Sequence, residues 1–571
     1  VGVPEAVVEA ACLVLSLAAV LPLLTPGHLW AHDAGAHLFR LSEVARALSE
    51  GVLYPRFLPD AYGGLGGPIL NFNPTAPYYL PALLVLAGIG PIAALKIAAG
   101  AAMIAGGLAV RVLARPHLGR AGAAVAGLAY VFLPYRIANL YVRMAYSELV
   151  AMVVLPLALA AARRAARSPS PRRIGAAGIA LGLLPATHFP TSVLGVPLVL
   201  LYALASSRRG RRARGAASAA ALLGVALAAS AFAWLPALAE QGQTHYEEST
   251  AGYDHYGHHF LSWPQLLSVK WGFGPSMPGS CDQMSFQIGW AHLLGLGVSL
   301  AAAAARSARA RPIALLCAAV AAVGSFLMLG PARPLWDRLP ILQDVQFPWR
   351  FLGIVGLATS LAVGLAAALP GAPAGAAAGA ASQPRRPWIV RTATAVMIVV
   401  VVGACVPYLK SRRGDGKDAD FTPEAIRRQY FGELKFQPRE VSALRFRPEG
   451  PRAALLGGGT ASIVEERTHR TAVEVDAPAP ATLRLHLFAT PGWRAWSGGE
   501  ELPLRAEAGT GLVLVEVPAG RRRVDLRFGN TPVRRAGWVL SAAGVLAGLG
   551  LILRGRAPGP ASRPSARRRG G

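Results

Sequence analysis

Six short segments, 111–120, 163–173, 206–215, 306–311, 383–391 and 554–571, contain 25 arginines and no Asp or Glu. Each lies between or just after apolar runs, and a helical membrane crossing needs about 20 apolar residues. Basic residues confined to short loops between apolar runs mark the cytoplasmic ends of membrane helices. The chain carries 57 Lys+Arg against 30 Asp+Glu, so setting those 25 aside leaves 32 basic and 30 acidic groups. The net charge of +27 is therefore a topology signal, and no nucleic-acid partner is expected, since that needs a basic patch on one face. Only 15% of residues are charged and 53% are hydrophobic, against about 25% charged in soluble domains. The fold class is a polytopic α-helical membrane protein.

Placing every arginine-only loop inside predicts about 12 crossings, near 5–24, 91–110, 121–135, 147–162, 174–187, 190–205, 216–236, 288–305, 312–330, 351–369, 389–408 and 536–553, with both termini cytoplasmic. The first run has Glu5 and Glu9 but no basic residue before it. It reads as an uncleaved span, because a secretory leader starts with a positive region. Residues 74–90 (PTAPYYLPALLVLAGIG) are apolar enough for a thirteenth span, yet a full crossing there would put Arg111, Arg115 and Arg120 outside. A half-helix dipping in from the outer face is expected, with the extra span as its rival. Cys12, Cys317 and Cys405 fall in apolar runs and Cys281 in a polar loop, so no disulfide framework is implied.

This path turns 25–76, 136–146, 237–287, 331–350 and 409–535 outward, and those segments or their edges contain ten of the 12 histidines. The chain then divides into a transmembrane domain over 1–408, an extracytoplasmic region over 409–535, a last span at 536–553 and a basic cytoplasmic tail at 554–571. From about 460 the hydrophobic period changes to two, in TASIVEE, TAVEVDA, TLRLHLF, GLVLVEV and RRVDLRF, separated by turn signals such as APAPA and SGGEE. Such runs predict a small antiparallel β-sandwich, which would bind carbohydrate or a partner, or serve as a cap.

Three outer constellations can carry chemistry. In the first loop, 34–50 has helical periodicity with Leu38, Leu41, Val44, Ala45 and Leu48 on one face, as in a helix lying along the membrane interface. Asp33, His37 and Arg40 are spaced i, i+4, i+7 and share its polar face. They can bind a metal or a phosphate and activate a hydroxyl, or they form a solvated face with Asp33 as helix cap. In the second, Arg143 and Glu148 flank Tyr146 at the start of a span, where ionisable groups are costly and serve function by default. Arg143 can hold a phosphate and Glu148 can act as base or metal ligand, or the two form a structural pair. The third is DVQFPWRFLG, where Gln346 and Arg350 suit a lipid phosphate or an aromatic-belt anchor. His188 (PATHFPTS) and Glu240 sit at outer helix ends. The cluster His255, His258 and His259 beside Asp254 has the composition of a metal site but no zinc-ligand spacing. No phosphate loop, dinucleotide fingerprint or nucleophile elbow is present, so any donor arrives in the membrane.

HDAGAHLFRL with LYPRF, GGLGGPILNFNPTAPYYLP, NLYVRMAYSE, QFPWRF, and a β-region with PGWRAW and PAGRRRVDLRF before a last span together resemble the bacterial YfhO-like membrane proteins. That group overlaps the 6-pyruvoyl-tetrahydropterin synthase-related membrane proteins and is similar to the GT-C glycosyltransferases. The resemblance implies a GT-C-like fold of about 12–13 membrane helices in a bacterial inner membrane. It also implies transfer of a sugar from a polyprenyl-phosphate donor to a lipid or glycan acceptor on the outer face, often with a divalent cation, Mg or Mn. By the same resemblance Asp33 and Glu148 would be the catalytic acids and tentative metal ligands, and Arg350 or Arg143 the carrier-phosphate contact. His37, Arg40, Tyr146, His188 and Gln346 would line the substrate site. A single Asp in HDAGAH stands where a paired-acid motif is usual. A transporter or flippase, or a non-catalytic envelope-assembly protein, are the rival functions.

Overall fold

The computed structural model describes residues 5–208, 210–279, 281–305, 310–369, 387–442 and 446–554. Arg306, Arg309, Arg385, Arg386 and the basic tail lie outside them. Among the described residues, six helices are long and apolar enough to cross a bilayer: Pro91–Val131, Tyr146–Arg167, Phe189–Ser206, Ala310–Met328, Pro348–Ala368 and Pro532–Arg554. A bent pair, Arg212–Ala229 with Ala231–Gln243 at 68°, makes a seventh, and shorter apolar helices include Trp290–Ala304 and Thr392–Tyr408.

The 41-residue run Pro91–Val131 is two limbs, not one rod. Gly119 holds φ 72°, where only glycine is unstrained, and the chain reverses there. The limbs pack closely enough that a Cβ on Gly127 would lie 2.6 Å from the Gly107 carbonyl oxygen, the approach that small residues permit between membrane helices. The loop expected at 111–120 is thus a tight turn at the end of a long first limb. Residues 74–90 form Ala76–Tyr78 and Tyr79–Leu86, about 16 Å of helix. That is half the ~30 Å of a hydrocarbon core, so this segment does not cross alone.

Pro348–Ala368 is central, with 83% of its apolar window buried, whereas Pro532–Arg554 is peripheral at 22%. The peripheral helix is fixed by one buried ion pair. Arg534, 1% exposed, donates to Glu240 Oε2 at 2.8 and 3.0 Å, and Asn71 and Thr531 donate to the same carboxylate. Glu240 is thereby structural.

Nine strands follow among the described residues: β1 Ala453–Leu456, β2 Thr460–Arg467, β3 Arg470–Ala477, β4 Ala481–Phe488, β5 Trp493–Ser497, β6 Glu500–Leu502, β7 Leu504–Ala506, β8 Leu512–Val517 and β9 Gly520–Phe528. They form two antiparallel sheets, ordered β1-β4-β8-β7 and β2-β3-β9-β5-β6. Val473, Val475, Leu483, Leu485, Val513, Val515, Val524 and Leu526 fill the space between them. The five period-two runs became β2, β3, β4, β8 and β9; the other four are only three to five residues long, too short to display alternation.

The sandwich clamps segment 25–76. Phe57 enters its core, 5.2 Å from the rings of Trp493 and Phe528. Phe488 N donates to Leu65 O at 2.7 Å, and Arg452 to Gly64 O at 3.1 Å. Beneath the loop, fully buried Asp60 accepts from Arg46 (2.8 Å) and Arg427 (2.5 Å). These ties correct the expected interfacial helix. It forms at Ala34–Ser49, but only Ser49 is exposed, because the C-terminal region covers its polar side and Phe431 stacks on Phe39 at 5.3 Å. The helix is held in protein rather than laid on lipid.

Candidate active site

Asp33 and Glu148 lie more than a hundred residues apart, and the main chain brings their segments together. After Pro134–Ala138 the chain widens into a π-turn over Asn139–Arg143 and ends with Met144 at φ 52°, in left-handed conformation. Single π-turns of this kind commonly mark functional sites. The turn leaves the carbonyls of Val142 and Arg143 free to accept from His32 N (3.1 Å) and Asp33 N (2.8 Å). The start of helix Ala34–Ser49 is thereby fixed against the start of Tyr146–Arg167.

Glu148 is 4% and Arg143 6% exposed. Glu148 accepts from Tyr135 Oη (2.5 Å), Asn139 Nδ2 (3.1 Å) and Arg143 (2.9 Å). Arg143 also donates to Asn139 Oδ1 at 2.5 Å and lies 4.5 Å over the Trp349 ring. Its hydrogen bonds among the described residues all use one terminal nitrogen. Arg350 donates to Val345 O (2.5 Å) and, weakly, to Gln346 Oε1 (3.5 Å), and has no carboxylate partner among the described residues. Its Nε is buried without a partner. Gln346 itself is held at φ 64°.

Asp33 differs from Glu148. It occupies the cap position of its helix without capping it, and no hydrogen bond to its carboxylate is made among the described residues. Desolvation raises its pKa, ahead of the lowering influence of Arg143, Arg40 and His32. Arg143 and Arg350 both act electrostatically on Asp33 and on Glu148, so the four groups lie within electrostatic reach of one another. His188 lies within reach of the same charges; burial first, then Arg350 and Arg143, lower its pKa to about 3 despite Glu148. Its Nδ1 is bonded to Thr191 Oγ1 at 2.8 Å.

On the other side of Asp33, His37 Nδ1 meets Tyr78 Oη at 2.7 Å, and Arg40 approaches the same hydroxyl at 3.4 Å. Burial, then Arg40, holds the His37 imidazole well below its usual range. Arg40 is also ion-paired to Glu433, which Lys435 (3.4 Å) and Asn73 (3.2 Å) bind as well. Burial opposes ionisation of Glu433, but Arg40 and Lys435 outweigh it and lower its pKa. Tyr146 donates to Pro77 O at 2.8 Å, so its hydroxyl hydrogen is already committed within the protein.

The donor set does not fit a divalent cation. Both Glu148 oxygens are engaged, one by a guanidinium, and two arginines flank Asp33. Among the described residues no three His, Cys, Asp or Glu side chains converge. The histidine-rich loop is no exception: His259 bonds Ser276 Oγ (3.0 Å) and Tyr253 O (2.6 Å), and His255 stacks on Tyr256.

Sequence reasoning missed Tyr78, Tyr135, Asn139 and Glu433. Tyr135 and Asn139 stand in LPYRIANLYVR beside Arg143, where polar residues next to an apolar run were a usable signal. Glu433 comes from a stretch with no periodicity, and nothing in the sequence ties it to Arg40, 393 positions away.

The profile of the 6-pyruvoyl-tetrahydropterin synthase related domain, described as a membrane protein, matches residues 70–411. The chain belongs to this family. The match includes Arg143, Glu148, His188 and Arg350 but begins after Asp33. No curated protein matches the chain. Among solved structures, the arabinofuranosyltransferase AftD from Mycobacteria aligns at 17% identity and a TM-score of 0.42, over 72% of this chain and 27% of its own length. The chain thus spans about a quarter of that protein.

Proposed function

We propose that the chain is an integral membrane glycosyltransferase, moving a sugar from a polyprenyl-phosphate donor to a lipid-linked or cell-envelope acceptor on the outer face of the membrane. The observation that carries this reading is one carboxylate, Asp33, unbonded among the described residues and within electrostatic reach of Arg143 and Arg350, each with guanidinium nitrogens that have no partner among those residues. Such a set suits displacement of a phosphate from a sugar. The acceptor hydroxyl attacks the anomeric carbon, Asp33 takes its proton, and the bond from that carbon to the phosphate oxygen breaks. The arginines then stabilise the charge left on the phosphate. A raised pKa makes Asp33 a better base than an ordinary aspartate. Glu148, with both oxygens bonded, is a positioning residue for Arg143. No divalent cation enters this scheme.

Two observations weigh against a transporter, which needs ionisable groups along a path. Lys96 is spent on Thr25 O at 2.6 Å, and buried Arg136 on the carbonyls of Ala102, Met103 and Tyr130. A purely structural assembly protein has no need for an unbonded carboxylate beside two open guanidiniums. The test is transfer from a panel of radiolabelled polyprenyl-phosphate pentoses and hexoses by the purified chain in lipid vesicles. Transfer from one donor that disappears in Asp33→Asn supports the reading, and no transfer from any member of the panel sinks it.

A further inference from the structure

The arginines that mark topology are not all alike. On their face of the protein, Arg111 and Arg120 are each paired with Glu9 at 2.9 Å. Arg115, Arg163, Arg164 and Arg167 have no carboxylate partner among the described residues. Three of these are exposed, as snorkelling side chains are, but Arg163 is half-buried and its Nε is fully buried without a hydrogen bond.

Arg163 lies within electrostatic reach of Tyr202, on helix Phe189–Ser206, and of His117, at the end of the first limb of Pro91–Val131. Arg167 acts on both as well. Tyr202 Oη and His117 Nε2 are 3.0 Å apart. Two guanidiniums, a phenol and an imidazole therefore meet where three helices end, with no carboxylate among them. A buried donor left unbonded is costly, and more so when charged, so this cluster calls for an anion. On the same helix, next to Tyr202, Leu201 is 64% and Leu204 43% exposed, a flank suited to an acyl chain. Basic pockets between membrane helices hold anionic head groups, and a guanidinium binds phosphate through paired hydrogen bonds.

We infer that Arg163, Arg167, His117 and Tyr202 form a binding site for the phosphate of an anionic phospholipid. The site is independent of the proposed chemistry: Arg163 and Glu148 lie on one helix, 15 residues and about 22 Å apart.

Thermal unfolding of the full chain in detergent, titrated with dioleoylphosphatidylglycerol or dioleoylphosphatidylcholine, tests it. The anionic lipid should raise the unfolding midpoint and the zwitterionic lipid should not. Arg163→Gln should weaken half-saturation about tenfold, the worth of one charge-assisted phosphate contact, and Arg212→Gln, at an exposed arginine, should leave it unchanged. Tyr202→Phe removes one hydroxyl with little risk to folding, and should weaken the same response severalfold if Arg163→Gln proves unstable. Equal response to both lipids overturns the site, as do wild-type response in Arg163→Gln and Tyr202→Phe, or equal loss in Arg212→Gln. The same midpoint shift from inorganic phosphate alone overturns the lipid assignment.

Discussion

Replacing Asp33 by Asn separates chemistry from stability. The Asp33 carboxylate makes no hydrogen bond among the described residues, so the isosteric amide breaks none. What is lost is attraction to Arg143 and Arg40 and to the N-terminus of helix Ala34–Ser49, the last worth about 0.3–1 kcal/mol. What is gained is relief from desolvating a charge, the largest influence on this group. The two oppose each other, and the net change in unfolding free energy should stay within about 1 kcal/mol. Transfer should fall by about 10²–10⁴, the usual contribution of a positioned base, or roughly 3–5 kcal/mol of barrier. Glu148→Gln should behave differently. It leaves the guanidinium of Arg143, 6% exposed, without its counter-charge, and breaking a buried pair from one side costs about 3–5 kcal/mol. Denaturant unfolding in detergent and sugar transfer in vesicles, measured on both variants, check the contrast. Transfer within threefold of wild type in Asp33→Asn would refute the base; destabilisation of that variant by more than about 3 kcal/mol would show a structural carboxylate.

Four further outcomes are expected. Because desolvation raises the Asp33 pKa, transfer should fall on acidification with a midpoint above the ordinary value near 3.9, and that limb should be missing from the residual activity of Asp33→Asn. The same sign means that ionised Asp33 costs stability at neutral pH, a cost that disappears as pH falls through its raised pKa. Arg350→Gln should weaken use of the donor about tenfold or more in kcat/KM, while unfolding loses about 1.5–3 kcal/mol with the hydrogen bond to Val345 O; an unchanged kcat/KM rules out a phosphate contact. Chelation of divalent cations should leave transfer unaltered, and a loss restored by Mg or Mn would overturn the reading of the donor set. Arg534→Ala should cost about 3–5 kcal/mol by removing the partner of Glu240, read as a lower unfolding midpoint, while the protein that remains folded keeps its kcat.

The resemblance and the residue chemistry together named Asp33, Glu148, Arg143, Arg350 and His188, and the structure places these five in one electrostatically linked cluster. Their division of labour was not legible. Asp33 and Glu148 look equivalent in sequence, both acids at a helix start; the π-turn at Asn139–Arg143 makes them unequal by aiming Arg143 and Asn139 at Glu148. Tyr146 looked like a ligand-binding aromatic, and Pro77, 69 positions away, claims its hydroxyl.

Local pattern determined what local physics controls. Apolar length and arginine placement mark the membrane-spanning stretches, and alternation marks the longer strands, because each effect acts over a few turns of chain. The tertiary structure alone decided which carboxylate stays unbonded, that the β-sandwich clamps the first loop through Phe57, and that Glu433 pairs with Arg40. Those outcomes depend on contacts between segments up to about 400 residues apart, such as Arg40 with Glu433 and Glu50 with Thr468. No periodicity or spacing within a segment records which distant partner will reach it.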